Sequence, residues 1–163
     1  MEILKFPHKA LFTRCVPVNV FDTELKLLLG FMWDAMVANH GIGLAANQVG
    51  LTWRMFVMRG ENDEKIFLVN PKILSSGLES ANIREGCLSA PGEFVVLQER
   101  AKWVQVEYQT EDGTKMVRVF KDIYSVCAQH EMEHLEGKSH LQSRSIPKAK
   151  RIEIAKRWGF KVK

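Results

Sequence analysis

Residues 130–140 read "HEMEHLEGKSH", and this stretch constrains the fold more than any other part of the chain. Two imidazoles that are to share one ion must lie close together. Four residues along a strand separates them by about 13 Å, but along an α-helix by only about 6 Å and on one face. His130 and His134 therefore require a helix, with Glu131 beside them and Gly137 placed to end it. On that helix the histidines can hold a metal ion, and the carboxylate can take a proton from water activated by it.

A catalytic ion of this kind takes three protein ligands and keeps a fourth position open. Two residues compete for the third place. His140 completes the pattern H-E-x-x-H-x-x-G-x-x-H of zinc endopeptidases, which also need a methionine turn downstream. The last methionine here is Met132, inside the motif. The other candidate is Cys87 in "REGCLSAPG", a short polar segment where a thiolate could join two imidazoles. Cys15 and Cys127 read as small buried hydrophobes. A non-catalytic protein with a structural zinc would need a fourth ligand from Cys15, His8 or His140, and would leave Glu131 without a purpose.

The 163 residues suffice for one domain with a real core, without repeats or a linker. "DTELKLLLGFMWDAMVANHG" predicts an amphipathic helix capped by Asp22 and stopped at Gly41, with Leu25, Leu28, Leu29, Met32 and Met36 on its inner face. "RMFVM" and "IFLVN" predict two strands. "WVQVEYQTEDGTKMVRVF" predicts a hairpin turning at Asp112-Gly113, with Val104, Val106 and Tyr108 inward. Asp122 is the expected cap of the metal helix. A last helix follows Pro147, with Ile146, Ala149, Ile152 and Ala155 facing the body. Helix, strands, helix without βαβ alternation is an α+β order: antiparallel sheets packed around the central HExxH helix, with an N-terminal helix and a short C-terminal one.

Charge and cysteine use narrow the setting. Residues 144–163 carry eight Lys/Arg and one acid, Glu153, so this tail holds +7 of a net +4 and the rest −3. It reads as the solvated face of a helix or as a handle for an acidic surface such as RNA. No apolar run approaches the ~20 residues of a membrane span. Three cysteines and a start without a signal pattern lead to the expectation of a cytoplasmic protein.

One more segment, "GIGLAANQ" at 41–48, combines glycines that allow close approach with Gln48, an amide able to donate to a developing oxyanion. "GIGLAANQ", "EGCLS" and "QHEMEHLEG", in that order, closely resemble the three motifs of the peptide deformylases, and the likeness extends over roughly residues 1–145. The resemblance implies a metal-dependent amidohydrolase that removes the formyl group from N-formylmethionyl nascent peptides. It implies Cys87, His130 and His134 as ligands of one divalent ion, typically Fe²⁺, with Zn²⁺, Ni²⁺ or Co²⁺ able to substitute. Glu131 would move the proton, and Gln48 with the Leu88 N–H would hold the oxyanion. Ile42, Gly43, Ile83, Gly86, Ile123, Val126 and Cys127 would form the substrate pocket. A monomer is expected, with a possible ribosome contact through the basic tail. The chain departs from the family at "KSH" after Gly137, and at "GEFVVLQER", one residue longer than usual, which places Phe94 near a position that contacts the substrate backbone.

Overall fold

A computed structural model describes residues 1–161. Helix α1 (Thr23–Ala38) precedes strands β1 (Gly43–Ala45), β2 (Met55–Arg59) and β3 (Lys65–Ser76). Strands β4 (Arg84–Cys87) and β5 (Ala90–Val96) follow, then β6 (Trp103–Gln109), β7 (Lys115–Lys121), helix α2 (Asp122–Leu135) and helix α3 (Lys148–Trp158). One antiparallel sheet has the order β1-β2-β3-β6-β7, and β4 and β5 form a separate two-stranded sheet. The α+β expectation holds.

Strand β2 explains the layering. Met55, Phe56, Val57 and Met58 are all fully buried, because both faces of the strand are covered. Met55 and Val57 pack with Leu25, Leu29, Met32 and Met36 of α1. Phe56 and Met58 pack with Val104, Val106, Ala128 and Leu135, the last two on α2. Alternation along one strand thus seats the two helices on opposite faces of the sheet. Each such side chain contributes about 1.5–3 kcal/mol by leaving water, an upper estimate that chain entropy offsets.

The β6–β7 hairpin forms as expected, with Gly113 left-handed (φ +81°) and Val104, Val106 and Tyr108 buried. It feeds α2 without a linker, which changes the role expected for Asp122. Asp122 makes no side-chain cap; it takes φ +49° and donates its N–H to the Lys102 carbonyl at 2.8 Å. A strand that becomes a helix in one residue needs a sharp backbone reversal, and Asp tolerates it. Ser125 and Gln129 then pin α2 to the segment just before β6 by donating to the Ala101 carbonyl, at 2.8 and 2.9 Å.

The helix ends show two outcomes. Gly137 stops α2 as expected: it has φ +67°, its N–H reaches the His134 carbonyl, and Lys138 N–H reaches that of Glu133. At the end of α1 the left-handed residue is His40 (φ +57°), not Gly41. Gly41 serves close packing instead, since a Cβ there would sit 2.7 Å from Leu88 Cδ1. In α3 the inward residues are Ile154 and Ala155, with Ile146 ahead of the helix, whereas Ala149 and Ile152 are exposed. Steps of three drift about 60° each around an α-helix, and Pro147 resets the phase. Among the described residues no helix is long and apolar enough to cross a membrane.

Gly137→Ala is expected to cost about 2–4 kcal/mol in urea unfolding, because φ is left-handed and the new Cβ would lie 2.6 Å from the Phe12 carbonyl oxygen.

Candidate active site

Helix α2 presents His130 and His134 from successive turns, and the end of β4 brings Cys87 against them. Cys87 Sγ lies 3.2 Å from His134 Nε2, which lies 3.2 Å from His130 Nε2. Metal bonds of about 2.0–2.1 Å to nitrogen and 2.3 Å to sulfur give tetrahedral edges of roughly 3.3–3.6 Å, so the donors fit one ion with small adjustments. Among the described residues they are the one His/Cys/Asp/Glu group with donor atoms all within 4.8 Å of one another.

His130 is oriented from behind. Its Nδ1 donates to Glu85 Oε2 at 2.6 Å, which fixes the tautomer and leaves Nε2 as a lone-pair donor. Glu85 is gripped by both Nε and Nη2 of Arg100, at 2.8 and 3.0 Å, and Nη2 also bonds Glu133 at 2.9 Å. Arg100 and Glu85 are both buried. Burial, reinforced by the Arg100 charge, lowers the His130 pKa to about 3, and His134 also falls well below the usual histidine range. Both rings are thus neutral, as ligands must be. Burial pushes the Cys87 thiol up to about 12, with the Glu131 charge adding to it. It becomes a thiolate at neutral pH only when a cation compensates.

Glu131 is buried, and its Oε2 has no hydrogen-bonding partner in the protein. Burial first, and the Glu85 charge second, raise its pKa to about 8, as suits a group that takes up and returns protons near neutrality. Gly43 of β1 makes room for it: a Cβ there would sit 2.5 Å from Glu131 Oε1 and 2.6 Å from Cys127 Sγ. Gln48 accepts from the Ala45 N–H at 2.8 Å, which leaves its amide nitrogen 3.1 Å from Ser89 Oγ and 3.5 Å from Cys87 Sγ. Leu88 lines the groove next to Cys87, and its carbonyl accepts from Lys5 Nζ at 2.6 Å.

Cys87 and His130 line a groove of about 450 Å³ that also contains Gly43, Gln48, Leu88 and Glu131 in its lining. A smaller cavity of about 100 Å³ adjoins it, and Ile42, Gly86, Ile123, Val126 and Cys127 are among its walls. Ile83 is a correction: it lines neither cavity, and Arg84 and Glu85 form that part of the wall. His140, the alternative third ligand, stays outside the group. It is buried with its ring 4.6 Å from that of His130, but both of its nitrogens lack protein partners and neither joins the donor group. No fourth ligand from Cys15, His8 or His140 closes the group, so the structural-zinc arrangement is absent among the described residues. Glu85 and Arg100 were missed in the sequence, although Glu85 stands two residues before Cys87 on a strand and so shares its face.

The family model for polypeptide deformylase matches residues 1–150. The chain belongs to this family. The peptide deformylase of Phenylobacterium zucineum is 41% identical over 140 residues, covering 83% of this chain and 82% of its own length. The crystal structure of a Legionella pneumophila peptide deformylase superposes with a TM-score of 0.86 at 33% identity, covering 97% of this chain and 92% of that one. A deformylase from Synechococcus elongatus in complex with actinonin gives 0.89 at 31% identity, over 99% of this chain and 87% of that one. Deformylases are metal-dependent hydrolases of formylated nascent peptides, and this chain carries the Cys/His/His cluster that such an ion requires.

Glu85→Ala is expected to weaken metal retention about 10–100-fold by freeing the His130 ring, measured by competition with a chromogenic chelator.

Proposed function

We propose that this deformylase removes the formyl group from N-formylmethionyl peptides with Cys87, His130 and His134 holding one divalent ion. The observation that carries the reading is the Glu85-anchored His130 grouped with His134 and Cys87, with Glu131, whose Oε2 has no protein partner, next in sequence. Fe²⁺ is the ion we assign, with Zn²⁺, Ni²⁺ or Co²⁺ able to replace it; when bound, it supplies Lewis acidity for the formyl carbonyl and the attacking water. Glu131 accepts the proton of that water and returns it to the departing amine. The C–N bond then breaks to formate and a free N-terminus. Gln48, with its carbonyl end tied down, offers its N–H₂ to the developing oxyanion together with the Leu88 N–H.

The methionine side chain fits the small cavity, whose apolar walls suit a flexible thioether. Ile42 and Ile123 are partly exposed at its rim, and Val126 and Cys127 are buried in it. We read residues 1–163 as one catalytic domain acting as a cytoplasmic monomer. Exposed Lys148, Lys150 and Lys156 on α3 support a ribosome contact as a second role of the basic tail.

The deciding experiment is anaerobic incubation of the Fe²⁺-loaded protein with formyl-Met-Ala-Ser, separating products by mass. Formate and intact Met-Ala-Ser are expected; cleavage of an internal peptide bond would overturn the reading. Glu131→Gln is expected to lower kcat by about 10²–10⁴ while metal content stays at the wild-type level. In that variant the raised Cys87 thiol is the group that must ionise, since both histidines are already neutral. Metal binding at pH 6–8 should therefore release about one proton per ion, with affinity rising about tenfold per pH unit. A pH-indicator titration that detects no release would exclude the thiolate.

A further inference from the structure

The strand next to the metal ligand carries a bulge that its own sheet does not hold. Gly86 of β4 pairs with Phe94 of β5, but the next residue, Cys87, pairs with Ala90. Pro91, Gly92 and Glu93 therefore have no ladder partner, and Gly92 is left-handed at φ +85°. These residues and Phe94 line the groove but not the small cavity. The Phe94 ring covers Gly86, where a Cβ would come 2.7 Å from Cε1, and the Arg84 guanidinium lies 4.6 Å from its centroid. The part of the groove wall that lies outside the small cavity is thus built on irregular backbone.

What holds the bulge comes from the other end of the chain. Along β5, Glu93 and Val95 are buried, Leu97 just beyond the strand is too, and Phe94 and Val96 are exposed. A carboxylate thus occupies the inward register of an apolar row. Glu93 Oε1 accepts from Trp158 Nε1 at 3.1 Å and from Arg157 Nη1, both in the last turn of α3. Arg157 is itself steadied by Glu153 at 2.7 Å. The apolar cluster beneath includes Val95, Leu97 and Ile154, with Cys87 and Trp158 packed against it. A buried carboxylate stripped of its partners is costly enough to turn toward solvent, and the open side here is the groove.

We propose that α3 braces the substrate groove: Arg157 and Trp158 act through Glu93 as positioning residues for the Pro91–Phe94 bulge, and so set affinity for peptide residues after the N-terminal methionine. The proposal rests on the deformylase reading for its substrate, and it gives the C-terminal helix a role inside the molecule.

The test uses the Fe²⁺-loaded full chain, comparing wild type with Trp158→Phe, Arg157→Met and the double variant. Two substrates are used: formyl-Met-Ala-Ser, and N-formylmethionine amide, which ends before the bulge. The double variant should raise KM for the tripeptide about 5–20-fold with kcat within about twofold, leave KM for the amide unchanged, and keep its metal. Arg157→Lys should restore most of the tripeptide affinity lost in Arg157→Met. An equal rise for both substrates, or no rise in a variant that unfolds like wild type, would overturn the brace. Hydrogen exchange at the Gly92–Phe94 amides reads it without any turnover: faster exchange in the double variant is expected, and unchanged exchange overturns it. Failure of the wild type to release formate would instead count against the deformylase reading, with the exchange result still deciding the brace.

Discussion

The buried chain Arg100–Glu85–His130 is the interaction on which the site depends. It joins the segment before β6, the small β4–β5 sheet and helix α2 in one hydrogen-bonded run. Such a charged network is costly to bury, and losing one member costs about 3–5 kcal/mol because a charge is stranded. Its function is geometric. It sets the tautomer and angle of one imidazole, and it holds β4 where Cys87 can meet the other. Without it, α2 would still form and pack, but the three donors would not be held at one point.

Around that network the polypeptide is cut close. The neutral histidines, the high Glu131 pKa and the high Cys87 pKa have one common cause, exclusion of water from the face where α2 meets β1 and β4. Gly43 permits that exclusion by letting the strand approach the helix. The same dryness strengthens any hydrogen bond that Gln48 or Glu131 makes to a reacting group. Burial thus links packing to chemistry here: the exclusion of water that keeps these donors from ionising also strengthens the interactions open to a reacting group.

The sequence made the regular parts legible. Period-3.6 and period-2 patterns located α1, α2 and the β6–β7 hairpin, because each buries one face against a continuous core. The Cys/His/His cluster was legible through the HExxH spacing and its companion motifs, and the fold groups Cys87, not His140, with the two histidines. Junctions were harder to read. Asp122 turns a corner where a cap was expected, His40 takes the left-handed position expected of Gly41, and Ala149 and Ile152 lost their phase across Pro147. Ile83 stands one residue before β4 begins and lines neither cavity, whereas Arg84 and Glu85 of the strand line the small one. Glu85 and Arg100 are 15 residues apart, and only tertiary contact reveals them as a pair.

The proposed ligand set is one thiolate and two imidazoles, without the nearby His140. X-ray absorption at the iron edge, recorded anaerobically on the Fe²⁺-loaded protein and on His140→Ala, tests it most directly. One sulfur and two imidazole nitrogens are expected in the iron's first coordination shell in both samples. A spectrum without sulfur, or one that loses an imidazole in His140→Ala, would contradict that set.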